Sequence, residues 1–224
     1  MSDFSKLSEY RKMVSGSFTD AEIPDLLFSI EYMMRHISEY ATENGMNNTL
    51  RALDVMKRFH KGAYRKGNEH VPYIVHPLMV ANHAIELGLA DDELLAVCLL
   101  HDVLEDSEAT INDLEMPKSI AEAVELLSFD KNSIDIYKAK ENYYNRIAGN
   151  RNASIVKVLD RCNNISNMTK AFSKDRMAEY IKETEDYILP ILEMLLQEQN
   201  DIQSAVFILK YHILSVTESI KKLI

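Results

Sequence analysis

Leu94-Leu95-Ala96-Val97-Cys98-Leu99-Leu100-His101-Asp102-Val103-Leu104-Glu105-Asp106 is the stretch around which the chain is organised. Apolar and small residues run straight into a histidine and three carboxylates. Asp91 or Asp92 can cap the start of such a helix, and Glu93 places negative charge at its positive end. Helical spacing predicts one continuous helix through Asp106, with His101 next to Glu105 and Asp102 next to Asp106 on a single turn. Val103 and Leu104 keep that turn against a core. Between Asp91 and Pro117 there is no Lys or Arg, and burying an unpaired carboxylate is strongly unfavourable. The compensating positive charge has to come from elsewhere in the fold, and a metal ion is its most compact source. The competing reading is a solvated acidic helix end with one incidental histidine.

The 224 residues are enough for one well-cored domain. Six glycines and five prolines are few for this length, and no long apolar/polar alternation marks a strand. The expected class is all-α, a helical bundle with additional N- and C-terminal helices. A net charge of −10 argues against a general nucleic-acid binder, which needs a basic face. A small phosphorylated ligand needs only a local basic patch. Cys98 and Cys162 fall inside helical patterns and are expected to be buried and reduced. With no apolar targeting or membrane-spanning run, the expectation is a cytoplasmic protein that does not engage a membrane.

Working outward, Thr19-Asp20-Ala21-Glu22 reads as a capping box for a helix that stops at Asn44-Gly45. Thr49 is expected to cap the next helix, which ends at His60-Lys61. His60 reads as a helix-end histidine rather than a ligand, and His36 and His83 carry no functional weight. Arg65-Lys66-Gly67-Asn68 is a turn by composition. His76 precedes Pro77 and is expected to be extended, just ahead of a helix that Pro77 begins. Ala153–Met168 is a second apolar helix that reaches a carboxylate, Asp160. Two long amphipathic helices close the chain, with Pro190 bending the first. Their stripes are core or the face of a homo-oligomer formed through the terminal helices. The whole is expected to be a single domain over 1–224, with a core at about 49–196, an N-terminal extension at 1–48 and a C-terminal helix at 197–224.

His76, His101, Asp102 and Asp160 emerge as one candidate metal site. Two imidazoles and two carboxylates without thiolate suit manganese or ferrous iron, with zinc a further option. A six-coordinate ion would keep positions open for water and a phosphate oxygen, which is the layout of a catalytic site.

These residues resemble the H…HD…D signature of the HD phosphohydrolase superfamily. The flanking segments are more specific. Arg65-Lys66 ahead of Pro72-Tyr73-Ile74-Val75-His76-Pro77, then Leu99–Asp106, then Lys157-Val158-Leu159-Asp160-Arg161-Cys162-Asn163-Asn164, are similar to the hydrolase domain of the RelA/SpoT family over about residues 49–170. That resemblance implies hydrolysis of the 3′-pyrophosphate of guanosine tetraphosphate or pentaphosphate, giving GDP or GTP and pyrophosphate. It also implies manganese on His76, His101, Asp102 and Asp160. Glu105 and Asp106 would be the catalytic acids, Arg65 and Lys66 would pack against the guanine, and Asn164 would line the nucleoside pocket. The strip 51–76, with six Lys or Arg against Asp54 and Glu69, would draw the polyanion in. The chain departs from the family pattern by two extra residues between Lys66 and His76, and by Val158-Leu159 and Asn163 around the last aspartate. It has no room for the family's synthetase and regulatory domains, so it resembles a stand-alone small alarmone hydrolase. The alternatives are a superfamily phosphohydrolase acting on another nucleotide, favoured if Arg65, Lys66, Glu105 and Asp106 are dispensable, and a catalytically silent nucleotide-binding module.

Overall fold

A computed structural model describes residues 28–65, 68–131 and 133–224, with the backbone alone at 68–70. The expected capping box at Thr19–Glu22 and the residue Lys66 lie outside the described residues.

The apolar stretch forms α4 (Asp92–Leu100), and Leu94 through Leu100 are all buried. A helix apolar on every side has to be surrounded. Here α2 (Asn47–Phe59), α3 (Val75–Glu86), α6 (Lys118–Leu127) and α8 (Arg151–Ala171) all pack on it, while α7 (Ile136–Ala148) packs on α6 and α8. Ahead of them, α1 (Ile30–Glu43) turns Met33, Ile37 and Ala41 into the same core. It ends as expected at Asn44-Gly45, where Gly45 takes φ +67°.

The two aspartates before α4 divide their work. Asp91 caps its own helix, accepting from the Leu94 N–H at 2.8 Å. Asp92 caps the neighbouring helix instead, accepting from the backbone N–H groups of Asn48 (3.2 Å) and Thr49 (2.8 Å). The expectation that Thr49 caps α2 is therefore corrected. The helix begins at Asn47, so Thr49 lies inside its first turn, where the free N–H groups need an acceptor from outside.

Two further expectations change. The chain holds a small antiparallel ribbon, β1 (Tyr64–Arg65) with β2 (Asn68–Pro72), too short and irregular to leave an alternating signature. His76 is not extended, since α3 already begins at Val75. Pro77 then falls in the first turn, where a missing N–H loses no helical bond, and burial of Leu78, Val80 and Ala81 outweighs the pre-proline preference.

After α8 come α9 (Lys174–Glu183), a wide π-type turn at Thr184–Ile188, α10 (Leu189–Glu198) and α11 (Gln203–Lys221). Pro190 cannot donate to a carbonyl one turn back, and the ladder loosens just before it, with the Leu189 N–H bonded to the Thr184 carbonyl. The expected single helix is divided at this turn into α9 and α10. Cys98 and Cys162 are free and buried. Among the described residues no helix is long and apolar enough to cross a membrane.

Candidate metal centre

The expected continuous helix through Asp106 is interrupted. α4 stops at Leu100, Asp102 adopts φ −101° and ψ −5°, and a one-turn helix α5 (Val103–Asp106) follows. Neighbouring residues on a regular helix point about 100° apart. The break is what lets His101 and Asp102 face one point, with His101 Nε2 3.2 Å from Asp102 Oδ2. From the first turn of α3, His76 Nε2 reaches His101 Nε2 at 3.2 Å and Asp102 Oδ2 at 3.3 Å. From α8, Asp160 Oδ1 lies 3.2 Å from His76 Nε2 and 3.9 Å from His101 Nε2. Two atoms bound to one ion at ~2.1 Å stand roughly 3.0–3.4 Å apart, so these spacings suit a shared cation. His76, His101 and Asp102 alone already offer three ligand atoms within 4.8 Å of one another.

The outer hydrogen bonds favour the same conclusion. His101 Nδ1 is 2.8 Å from the Cys98 carbonyl, and His76 Nδ1 is 2.6 Å from Asn163 Oδ1. Both partners accept, so each Nδ1 carries the hydrogen of a neutral ring, and both Nε2 lone pairs face inward. Two lone pairs and two carboxylate oxygens directed at one point require a positive charge between them. With no metal, that charge is a proton. Burial acts to lower the pKa of His101, but Asp102 and Asp160 outweigh it and lift it to about 9. Burial also opposes ionisation of Asp102 and Asp160. For Asp102 the two imidazoles prevail, and for Asp160 Lys157 leads, so both carboxyls lie well below their usual range. The donor set thus fits a hard divalent cation in competition with protons.

Missing cations also come from side chains that the spacing argument did not reach. Lys157, one turn before Asp160, holds its other oxygen at 3.1 Å. Lys131, from the loop after α6, lies 2.7 Å from Glu105 and 3.9 Å from Asp106. Glu105 also accepts from the Phe129 N–H at 3.2 Å. Through these contacts Glu105 faces the 129–131 loop. Asp106 instead accepts from the Tyr73 hydroxyl at 2.8 Å, and the same hydroxyl is 2.5 Å from Asp102 Oδ2.

On the other flank, Asn164 donates to Asp160 Oδ1 at 2.5 Å and accepts from Arg65 Nη2 at 2.9 Å. The remaining basic strip does different work. Arg51 and Arg58 donate to the Glu115 and Asp113 carbonyls at the short turn Ile111–Leu114, and Lys57 pairs with Asp54 at 2.7 Å. A denser group of cations lines a cavity of about 340 Å³ beside the cluster. Lys131, Lys140, Lys157 and Arg176 line it with Tyr143, Tyr144, Glu105 and Glu183. Lys157 at i−3 from Asp160 was legible in the sequence. Lys131 and Lys140 arrive through tertiary packing.

No family model matches the chain. The guanosine-3′,5′-bis(diphosphate) 3′-pyrophosphohydrolase of Aquifex aeolicus (strain VF5) is 31% identical over 173 residues, 74% of this chain and 23% of that protein. The bifunctional (p)ppGpp synthase/hydrolase SpoT of Escherichia coli (strain K12) is 32% identical over 177 residues, 75% of this chain and 25% of that protein. The chain is an HD-type relative of the alarmone hydrolases. It spans about a quarter of the length of these bacterial relatives. The guanosine-3′,5′-bis(diphosphate) 3′-pyrophosphohydrolase MESH1 of Homo sapiens is nearer in size, 29% identical over 140 residues, 59% of this chain and 78% of that protein. The solved structure described as "A metazoan ortholog of SpoT hydrolyzes ppGpp and plays a role in starvation responses" shares the fold, with a TM-score of 0.62 at 20% identity over 77% of this chain and 95% of that one.

Proposed function

We propose that the chain is a cytoplasmic, manganese-dependent hydrolase of the 3′-pyrophosphate of guanosine tetraphosphate and pentaphosphate, built on a single all-α domain with its hydrolytic core at about 49–196. The observation that carries this reading is where Glu105 and Asp106 stand: Asp106 is joined through Tyr73 to the four-group cluster, and Glu105 lines the cationic cavity. His76, His101, Asp102 and Asp160 would hold the metal. Bound there, the ion would supply Lewis acidity toward a phosphate oxygen and a water. The chain's own groups do the rest. Arg65 and Asn164, with Lys66 next to Arg65 in sequence, bind the nucleoside on one flank. Lys131, Lys140 and Lys157 neutralise the pyrophosphate on the other. Glu105 and Asp106 take a proton from the attacking water and return one to the ribose 3′-oxygen as the bond from phosphorus to that oxygen breaks. The exposed Phe207, Ile208 and Tyr211 of α11 are where a homo-oligomeric contact through the terminal helices would form.

The test is a panel of nucleotides incubated with the purified protein and Mn²⁺, with products separated by ion exchange. Guanosine tetraphosphate should give GDP and pyrophosphate at the highest kcat/KM. One observation favours a second reading. The segment between Lys66 and His76 is two residues longer than the pattern it resembles and Arg65 is engaged with Asn164, so the base pocket differs, and another nucleotide would then be preferred.

Two variants separate the roles. Glu105→Gln removes a proton-transfer group and keeps the metal ligands, so kcat should fall at least ~10²-fold with metal content unchanged. A parent-like kcat would make Glu105 a mere anchor for Lys131. Arg65→Ala should act chiefly on KM, because its contact exists before and during the reaction. A collapse of kcat at unchanged KM would misplace it.

A further inference from the structure

Tyr73 is tied into the site at every point. Its N–H donates to the Ala63 carbonyl at 2.8 Å and its carbonyl accepts from the His76 N–H at 3.0 Å, so it joins the ribbon to α3. Its ring lies 4.7 Å from the His60 ring, 36° from parallel, with the Arg65 guanidinium 5.6 Å from its centroid. Its hydroxyl touches two carboxylates, Asp102 at 2.5 Å and Asp106 at 2.8 Å. The Asp102 oxygen concerned, Oδ2, is the one that faces both imidazole Nε2 atoms.

We infer that Tyr73 is a positioning residue whose hydroxyl links the metal-holding carboxylate Asp102 to Asp106, with His60 bracing its ring. This rests on the proposed function for the role of Asp106 and on the metal centre for the role of Asp102. A hydroxyl has a single hydrogen, so it serves one carboxylate at a time. A carboxylate oxygen has two acceptor sites, so Asp102 Oδ2 can take this hydrogen and still face a cation, held toward the two imidazoles. Asp106 is held by the same hydroxyl when the hydrogen turns to it. The link therefore orients Asp102 for the metal and Asp106 for the chemistry through one atom. His60 supports the assignment. It is buried, its Nε2 has no hydrogen-bond partner, and its ring makes a tilted contact with Tyr73. A buried nitrogen left unpaired is destabilising, so the ring contact is what the side chain provides.

The test is titration of the metal-free protein with Mn²⁺, followed by the electron paramagnetic resonance of the free ion, alongside kinetics on guanosine tetraphosphate. Tyr73→Phe keeps the ring and its contact with His60. Its Mn²⁺ Kd should rise ~10–100-fold, and kcat at saturating Mn²⁺ should drop at least ~10-fold with KM within about 2-fold. His60→Leu removes the unpaired nitrogen and should keep or raise the melting temperature while lowering kcat. Parent-like Mn²⁺ affinity and kcat in Tyr73→Phe, with only the melting temperature shifted, would overturn the inference. The metal titration needs no nucleotide. A parent protein that binds Mn²⁺ yet hydrolyses nothing would defeat the proposed function, and the Tyr73 effect would still be read from the Kd.

Discussion

His101→Ala is expected to lose its metal and to fall at least ~10³-fold in hydrolysis, because a bound divalent ion contributes several kcal/mol to the transition state. His101 is buried at the break after α4, its Nδ1 fixed by the Cys98 carbonyl. No neighbouring side chain can substitute for its Nε2, since His76, Asp102 and Asp160 already surround the same point. The helical core is made by Leu94–Leu100, so the secondary structure should survive. Metal analysis and circular dichroism on the purified variant check both halves. Full metal occupancy would remove His101 from the ligand set.

The second large effect lies next to the site. Arg161 is buried beside Asp160 in α8, donating to Glu183 at 2.6 Å, the Tyr144 hydroxyl at 2.8 Å and Thr184 Oγ1 at 3.1 Å. Its guanidinium also stacks 3.8 Å from the Tyr180 ring centroid. Removing the guanidinium takes away one of the two cations on Glu183, leaving Lys140, and opens a cavity against the Tyr180 ring, so Arg161→Ala should destabilise the fold by ~2–5 kcal/mol. Urea denaturation measures this, and a loss under ~1 kcal/mol would show that the network relaxes freely.

The same network sets an acid limit. Burial acts to raise the Glu183 carboxyl, but Arg161, Lys140 and Tyr144 outweigh it and hold it at about 2, against 4.5 when free. A carboxyl lowered by folding contributes stability that is complete above its unfolded value and disappears as pH falls toward the folded one. The parent should lose stability between about pH 4.5 and 2. Glu183→Gln should be less stable above that window, converge on the parent at its acid end and be flatter across it, which denaturation at several pH values would show.

How much of this was legible depended on range. The all-apolar run Leu94–Leu100 announced a surrounded helix, and the Asn44-Gly45 stop lay where backbone chemistry puts it. The convergence of His76, His101, Asp102 and Asp160 was readable as residue types in order, and the structure brings them within 3.2–3.9 Å along the measured pairs. The break at Asp102 was not readable, because it answers to convergence on a point and not to local propensity. Nor were the contacts of Glu105 with Lys131 and the Phe129 N–H. Asp92 capping α2 and Lys140 facing Glu183 are contacts across 44 and 43 residues, invisible to any local rule. The basic strip misled for a related reason: one-dimensional charge density cannot say that Arg51 and Arg58 serve the Ile111–Leu114 turn.

The most direct measurement is hydrolysis of guanosine tetraphosphate by the metal-stripped protein before and after Mn²⁺ is restored. The account predicts no turnover without metal, and on its addition GDP and pyrophosphate in equal amounts, with His101→Ala silent in both conditions. Turnover that is undiminished without metal, or orthophosphate in place of pyrophosphate, would contradict it.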